Sequence, residues 1–260
     1  MTVTSSLQCT WHPQDVLELR LHRPERRNAL DQTLIDALRD ALDTDARRAR
    51  CTVLTGADTF FCSGGDVASM PGAGDGLFGP AGRLELIHGV IERFAALPCP
   101  TVVAVEGYAL GAGWGLALAG DILVAGEDAA FQAPFSQRGL AADAGVAWHL
   151  TRRLGRHGAN RHLLLGEPLT APEALSAGLV TILAAPRTAT RVALDVAARL
   201  AAGPVESVAV TRWMSRVAED RDVTGFLREE RIGVALAGHG RDAAEGKAAF
   251  REKREPEFAR

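Results

Sequence analysis

The chain has 260 residues, 47% hydrophobic and 23% charged, with a formal net charge of −3. That length can bury a real core in one domain, so stability requires neither disulfides nor a structural metal. A sequence pI near 6.2 lacks the basic excess of a nucleic-acid or membrane-surface protein, and every basic residue but Lys247 and Lys253 is arginine, which we read as genome composition. Cys9, Cys51, Cys62 and Cys99 make no C-x-x-C pair and have no His at ligand spacing, so neither zinc nor a disulfide framework is expected. The N-terminal MTVTSSLQC has no signal-peptide pattern, and no apolar run reaches about 18 residues. The expectation is a cytoplasmic protein with neither membrane nor nucleic acid among its partners.

Val16–Leu21 (VLELRL) alternates as a strand and Pro24 ends it. Asp31 is placed to cap a helix from Gln32 to about Ala46, with Leu34, Ile35, Leu38 and Leu42 at helical spacing. Cys51–Leu54 reads as a short buried strand, followed by the glycine-rich TGADTFFCSGGD. Pro71–Gly82 holds five Gly and two Pro and is expected to form no regular element. A helix is predicted from about Arg83 to Ala96, closed by Pro98 and Pro100. Thr101–Val105 and Ile122–Ala125 are apolar strands, and GYALGAGWGLALAGD between them turns into a small-residue helix. From about Val146 the pattern is mostly helical, interrupted by GEPLTAPEALSAGLV. Helices are predicted near Thr188–Ala202, Val205–Ala218, Val223–Ala237 and Asp242–Glu252. Repeated strand–helix units followed by helices alone predict an α/β fold with a helical C-terminal part after about Gly203.

SGGD (Ser63–Asp66) and LGAGWG (Leu110–Gly115) each follow a predicted strand. Glycine there allows positive φ and close approach of a ligand to the backbone, and the second turn leads directly into a helix whose free N–H groups point outward. Two such turns facing each other can hold a developing oxyanion with one N–H each; tight turns and close helix packing are the plainer reading. LGAGWG misses the G-x-G-x-x-G dinucleotide pattern, and Gly246-Lys247 lacks the rest of a P-loop. There is no G-x-S-x-G elbow.

LHRPERRNAL (Leu21–Leu30), VLTGADTFFCSGGD, PTVVAVEGYALGAGWGLALAGDILVA, FSQRGLAADAG and AFREKREPEF together resemble the crotonase (enoyl-CoA hydratase/isomerase) superfamily over nearly the whole chain. The resemblance implies a spiral of ββα units (residues 1–202) with a helical trimerisation region (residues 203–260). It also implies an acyl-CoA thioester as substrate, no tightly bound cofactor, and homotrimers or hexamers. By position, the backbone N–H groups of Gly65 and Ala112 form the oxyanion hole. Two preorganised donors of this kind lower a barrier by about 3–4 kcal/mol each. Cys62, Gly64, Asp66, Val67 and Gly111 fall around them, and Phe135, Leu140 and Trp148 are expected to shape the acyl pocket. Arg26 and Arg27 suit the phosphates of CoA, or are ordinary surface charge, since the usual Lys of this segment is Glu25.

The two Glu positions of crotonase-like hydratases fall on Gly115 and Phe135, neither of which moves a proton, so hydration by that route is disfavoured. Asp143, in GLAADAG, matches the acting Asp of family isomerases. FS followed by G-L-x-x-D (Phe135-Ser136, Gly139–Asp143) resembles the ring-1,2-epoxyphenylacetyl-CoA isomerase type. Asp143 sits among apolar residues that favour a raised pKa; an Asp just before a helical run is also what an N-cap looks like. His88 matches a His of 4-chlorobenzoyl-CoA dehalogenase, which makes it a candidate helper, or a structural residue on its helix. The isomerase reading therefore stands beside three alternatives: a hydratase, a dehalogenase or hydrolase using Asp143 and His88, and a non-catalytic acyl-CoA binder. Glu106 is read as a structural substitution, with a new acid near the active site as the alternative, Trp114 as pocket wall or core, Asp66 as fixing its turn, and His157 with His162 as no metal site.

Overall fold

The computed structural model describes residues 6–70, 76 and 79–258. Its strands are β1 (Leu7–His12), β2 (Val16–Leu21), β3 (Cys51–Gly56), β4 (Thr101–Val105), β5 (Tyr108–Leu110), β6 (Ile122–Gly126), β7 (Ala130–Gln132), β8 (Leu169–Thr170) and β9 (Ile182–Ala184). The helices are α1 (Gln32–Asp43), α2 (Gly79–Ala95), α3 (Ala112–Leu118), α4 (Val146–Leu164), α5 (Ala171–Ser176), α6 (Ala189–Ala202), α7 (Val205–Val217), α8 (Val223–Gly238) and α9 (Arg241–Glu252).

A large sheet runs β1-β2-β3-β4-β6-β9, parallel except for the β1–β2 hairpin. Parallel strands covered on both faces are apolar throughout, and the pleat sorts them. Leu17, Leu19, Leu21, Leu54, Val103, Val105 and Leu123 face α1 and α2, while Val16, Val53, Val102, Ala104 and Val124 face α6. Helix α6 lies close because Ala189, Ala193, Ala197 and Ala201, one turn apart, form its buried stripe. Asp31 caps α1 through the Leu34 N–H at 2.9 Å, as its sequence position predicts.

The smaller sheet, β5-β7-β8, is extended by bridges from Cys62 to Ala109 and from Leu30 to Gly65. Strands β2, β3, β4 and β6 are thus each followed by a short segment in a second layer, and this puts the two glycine turns side by side. The short strands β5, β7 and β8 carry too few residues to show a period of two, which is why their pairing escaped the sequence reading.

Two boundaries differ from expectation. Residues 79–82 of the glycine-rich stretch are helical, with Pro80 in the first turn of α2, where its missing N–H costs nothing; residues 71–75, 77 and 78 lie outside the described residues. Helix α1 ends at Asp43, and Asp45–Arg47 forms a tighter 3-10 turn.

Candidate active site

The first turn is fixed from both sides. Cys62 donates its N–H to Tyr108 O (3.2 Å) and accepts from the Leu110 N–H (2.9 Å). The Leu30 N–H bonds Gly64 O at 2.8 Å, and the Asp66 N–H bonds Leu30 O at 2.9 Å. The Gly65 N–H takes no part in that bridge and has no acceptor among the described residues. Gly64 has φ +92, and a Cβ there would lie 2.8 Å from Leu110 O, so both conformation and space require glycine. In the second turn, Gly111 (φ 52, ψ −124) precedes α3 and donates to Gln132 O at 2.9 Å. That leaves Ala112 as the first residue of α3, its N–H without an intrahelical partner.

Both turns line one cavity of about 370 Å³. Gly64, Gly65, Val67, Gly111, Ala112, Phe135, Leu140 and Asp143 all border it, as expected from sequence, together with Met70, Leu84, Ile87 and Arg83, which the sequence reading missed. Among the described residues Asp143 is the one carboxylate in that lining, and Arg83 and Arg138 are its cations. A signal for part of the missed set was available: Arg83 and Ile87 stand four apart on a predicted helix and so share a face.

Asp143 does not cap α4. The cap position is Gly145 (φ 76), and the Asp143 main-chain carbonyl accepts from the Val146 N–H at 3.1 Å. Asp143 borders the cavity instead, with Oδ1 buried and without a hydrogen-bond partner among the described residues. Burial pushes this carboxyl above its ordinary value, partly offset by the charges of His88 and Arg83. The neighbouring Ala144 sits at φ 52, a costly conformation for a residue with a Cβ. Its carbonyl fills the space above Gly115, where a Cβ would come within 2.1 Å of it. The first of the two hydratase Glu positions is therefore occupied by backbone of the Asp143 loop. At the second, the Phe135 ring packs against the Gly111 turn.

Other expected site residues lie elsewhere. Cys62 is fully buried beneath α3, donates to Asn28 O at 3.1 Å and has its thiol pushed up to about 12 by burial. Asp66 faces Arg23 (3.1 Å) and accepts from the Ala68 N–H. Burial raises its carboxyl, but those bonds and the charges of Arg23 and Arg26 hold it below the ordinary value, which matches its reading as a turn-fixing residue. Trp148 does not shape this cavity. It lies about 200° round α4 from buried Val146, edge-on to His149 and under Arg152, on a separate groove with Asp121 and Arg212. His88 is exposed on α2 and does not border the cavity.

Arg26 and Arg27 are exposed beside the first turn: Ser63 donates to both of their carbonyls, and the Arg27 guanidinium stacks over Phe60 at 5.6 Å. Glu106 accepts the N–H groups of Arg187 and Ala189 and thus secures the start of α6. Trp114 is wholly buried against Phe131. His162 bonds Glu167 O at 2.8 Å. Among the described residues no cluster of His, Cys, Asp or Glu could hold a metal ion, and no helix is long and apolar enough to cross a membrane.

The enoyl-CoA hydratase/isomerase family model matches residues 12–260. The chain belongs to that family. Enoyl-CoA hydratase/isomerase relatives include the 1,2-epoxyphenylacetyl-CoA isomerase of Escherichia coli (strain K12), 35% identical over 250 residues covering 94% of each chain. The 2,3-dehydroadipyl-CoA hydratase of the same organism is 34% identical over 248 residues, covering 94% of this chain and 95% of that one. The crystal structure of an enoyl-CoA hydratase from Polaromonas sp. JS666 superposes with a TM-score of 0.91 at 32% identity, covering 97% of this chain and 99% of that one. The fold is the crotonase fold of this enoyl-CoA hydratase/isomerase family, and the protein is an acyl-CoA enzyme of that superfamily.

Proposed function

We propose that the protein isomerises an enoyl-CoA, with Asp143 carrying a proton from one carbon to another and the Gly65 and Ala112 N–H groups holding the thioester oxygen. The observation that carries this reading is Asp143, its Oδ1 buried and unpartnered, on the wall of a cavity that both glycine turns border and that no second carboxylate lines among the described residues. Adding water across a double bond calls for a base on the water and an acid on the carbon, whereas moving a double bond needs one group that takes a proton and returns it.

With a 3-enoyl thioester, Asp143 removes a Cα proton; the C–H electron pair becomes the Cα–carbonyl double bond of a dienolate, and charge collects on the thioester oxygen. Two backbone donors stabilise that oxygen, where developing charge counts most in a water-poor site. The Asp143 carboxylic acid then returns the proton to Cγ, leaving the 2-enoyl thioester. Desolvation suits proton removal, because a carboxylate whose pKa is raised above its ordinary value is the stronger base toward the Cα proton. Arg26 and Arg27, at the rim of the first turn, are the cations we assign to the CoA phosphates.

Hydrogen–deuterium exchange at Cα and Cγ of saturated and 3-enoyl-CoA thioesters in D₂O, followed by NMR, tests the reading. Wild-type exchange is expected to fall by about 10²–10⁴-fold in Asp143→Asn. Exchange that survives in Asp143→Asn, or none in the wild type with a bound thioester, would overturn it. Hydration of a 2-enoyl-CoA without exchange would instead favour the hydratase reading that several relatives' names carry.

A further inference from the structure

Arg83 borders the cavity from α2 and has no place in the chemistry described so far. Its Nη2 donates to Leu30 O and to Asp66 O, both at 3.1 Å, and its Nη1 donates to Ser69 Oγ at 2.9 Å. Leu30 and Asp66 are the residues whose backbone groups frame Gly65: Leu30 bonds Gly64 on one side and Asp66 on the other. A Cβ built on Gly65 would stand 3.4 Å from Nη2, so the guanidinium lies directly against a cavity-lining residue whose N–H has no acceptor among the described residues.

The charge environment is equally specific. Asp31 and Asp66 lie near Arg83, but both pair with Arg23, at 3.0 and 3.1 Å. Asp143 faces Arg83 and has no bonded partner. Among the described residues, Arg138 and His88 complete the charged and titratable groups about Asp143. Among the described residues Arg83 makes no ion pair; all its bonds go to neutral oxygens. A guanidinium held this way keeps its field for a negative charge that appears beside it, and its planar fork holds both carbonyls with Nη2 while Nη1 is anchored on Ser69, an orientation that a freely rotating ammonium does not fix.

We propose that Arg83 is a positioning residue for the enolate chemistry. By tying the Leu30 and Asp66 carbonyls to α2 it fixes the direction of the Gly65 N–H, and its unpaired charge favours the enolate over the neutral thioester. The proposal rests on the oxyanion-hole reading of Gly65 and on the proton-shuttle reading of Asp143.

The test uses the full-length protein and hexanoyl-CoA labelled with ¹³C at the thioester carbonyl, whose bound stretch is read by infrared difference spectroscopy beside α-proton exchange as a function of pH. Arg83→Gln is expected to bind hexanoyl-CoA within about 3-fold of wild type yet to exchange about 100-fold more slowly. Its carbonyl stretch should return toward the frequency in water, and the acid limb of the exchange profile should move to higher pH, because a cation favouring the Asp143 carboxylate has gone. Arg83→Lys keeps the charge, so the acid limb should stay while the stretch partly relaxes and exchange falls about 10-fold. Ser69→Ala, which removes only the Nη1 contact, should match wild type.

A folded Arg83→Gln with wild-type stretch, rate and acid limb would overturn the proposal. Should that variant fail to fold, Arg83→Lys decides, and a wild-type stretch and rate in it would overturn the proposal equally. Exchange persisting in Asp143→Asn would overturn the shuttle reading instead, and the carbonyl stretch would still report on Arg83.

Discussion

A carboxylate with a buried oxygen and no donor is costly, and Asp143 retains that cost where a helix cap position lies two residues away. Its carboxyl stands above the ordinary value of 3.8 through burial, against the opposing charges of His88 and Arg83. The folded state therefore binds this proton more tightly than the unfolded chain. The associated stability is fully present below the unfolded pKa and is lost as pH rises through the folded one. Asp143→Asn should accordingly be more stable than wild type at pH 7, by about 1 kcal/mol, and indistinguishable from it near pH 3. Thermal melts at the two pH values check this; equal melting temperatures at pH 7 would show that the carboxylate carries no strain. The same raised carboxyl sets the catalytic profile. As the general base must be ionised, exchange should rise with pH along an acid limb whose midpoint lies above the usual Asp range, and a midpoint at or below 3.8 would contradict the desolvated environment.

The loop from Gly139 to Gly145 and helix α3 are packed so closely that each dictates the other's sequence. Ala144 holds positive φ and sets its carbonyl on Gly115, so a side chain at Gly115 and the present position of Asp143 are mutually exclusive. Gly115→Ala should lose about 1–3 kcal/mol of stability by overpacking, and Gly115→Glu should not create a hydratase. Both should lower Asp143-dependent exchange at least tenfold, which stopped-flow or NMR exchange assays would register; a Gly115→Glu protein that hydrates a 2-enoyl-CoA efficiently would show that the loop yields. This contact also marks the limit of what the sequence reveals. The absence of Glu at Gly115 and the presence of Asp143 are visible as letters, and α1, β2 and β4 follow from spacing alone. That Asp143 is a cavity wall rather than a cap depends on Gly145 taking the cap position, and that depends on a run of positive φ at Ala144 and Gly145 which no periodicity announces. Trp148 was misplaced for a related reason. Its distance in sequence from Asp143 is short, but the helix begins between them, and the turn of α4 carries the indole away from the cavity.

Across the whole molecule, the spiral covers both faces of its large sheet, whereas the C-terminal helices leave apolar surface uncovered. Helices α7 and α9 are locked by reciprocal bonds between Glu206 and Asp242, and α8 packs on α7 through Gly233 against Val210 and Met214. Helix α8 carries Leu227 and Val234 on one side and Ile232 and Leu236 on another, all at least half exposed, and Phe250 on α9 is 86% exposed. A lone soluble chain seldom presents so much apolar surface in one region, and helix faces of this kind are ordinarily buried in symmetric assemblies. We propose that these faces meet in a homotrimer, the unit implied by the sequence resemblance. Light scattering coupled to gel filtration should then give three times the 27.6 kDa chain mass, or six times if two trimers stack. The double substitution Ile232→Asp with Leu236→Asp places two charges on one apolar side of α8, one turn apart, where each unpaired buried carboxylate costs several kcal/mol. The expected result is a shift to the mass of one chain with the far-UV spectrum of the helices retained. A wild-type protein that elutes at 27.6 kDa would sink the trimer; a double variant that keeps the wild-type mass would move the interface to another face.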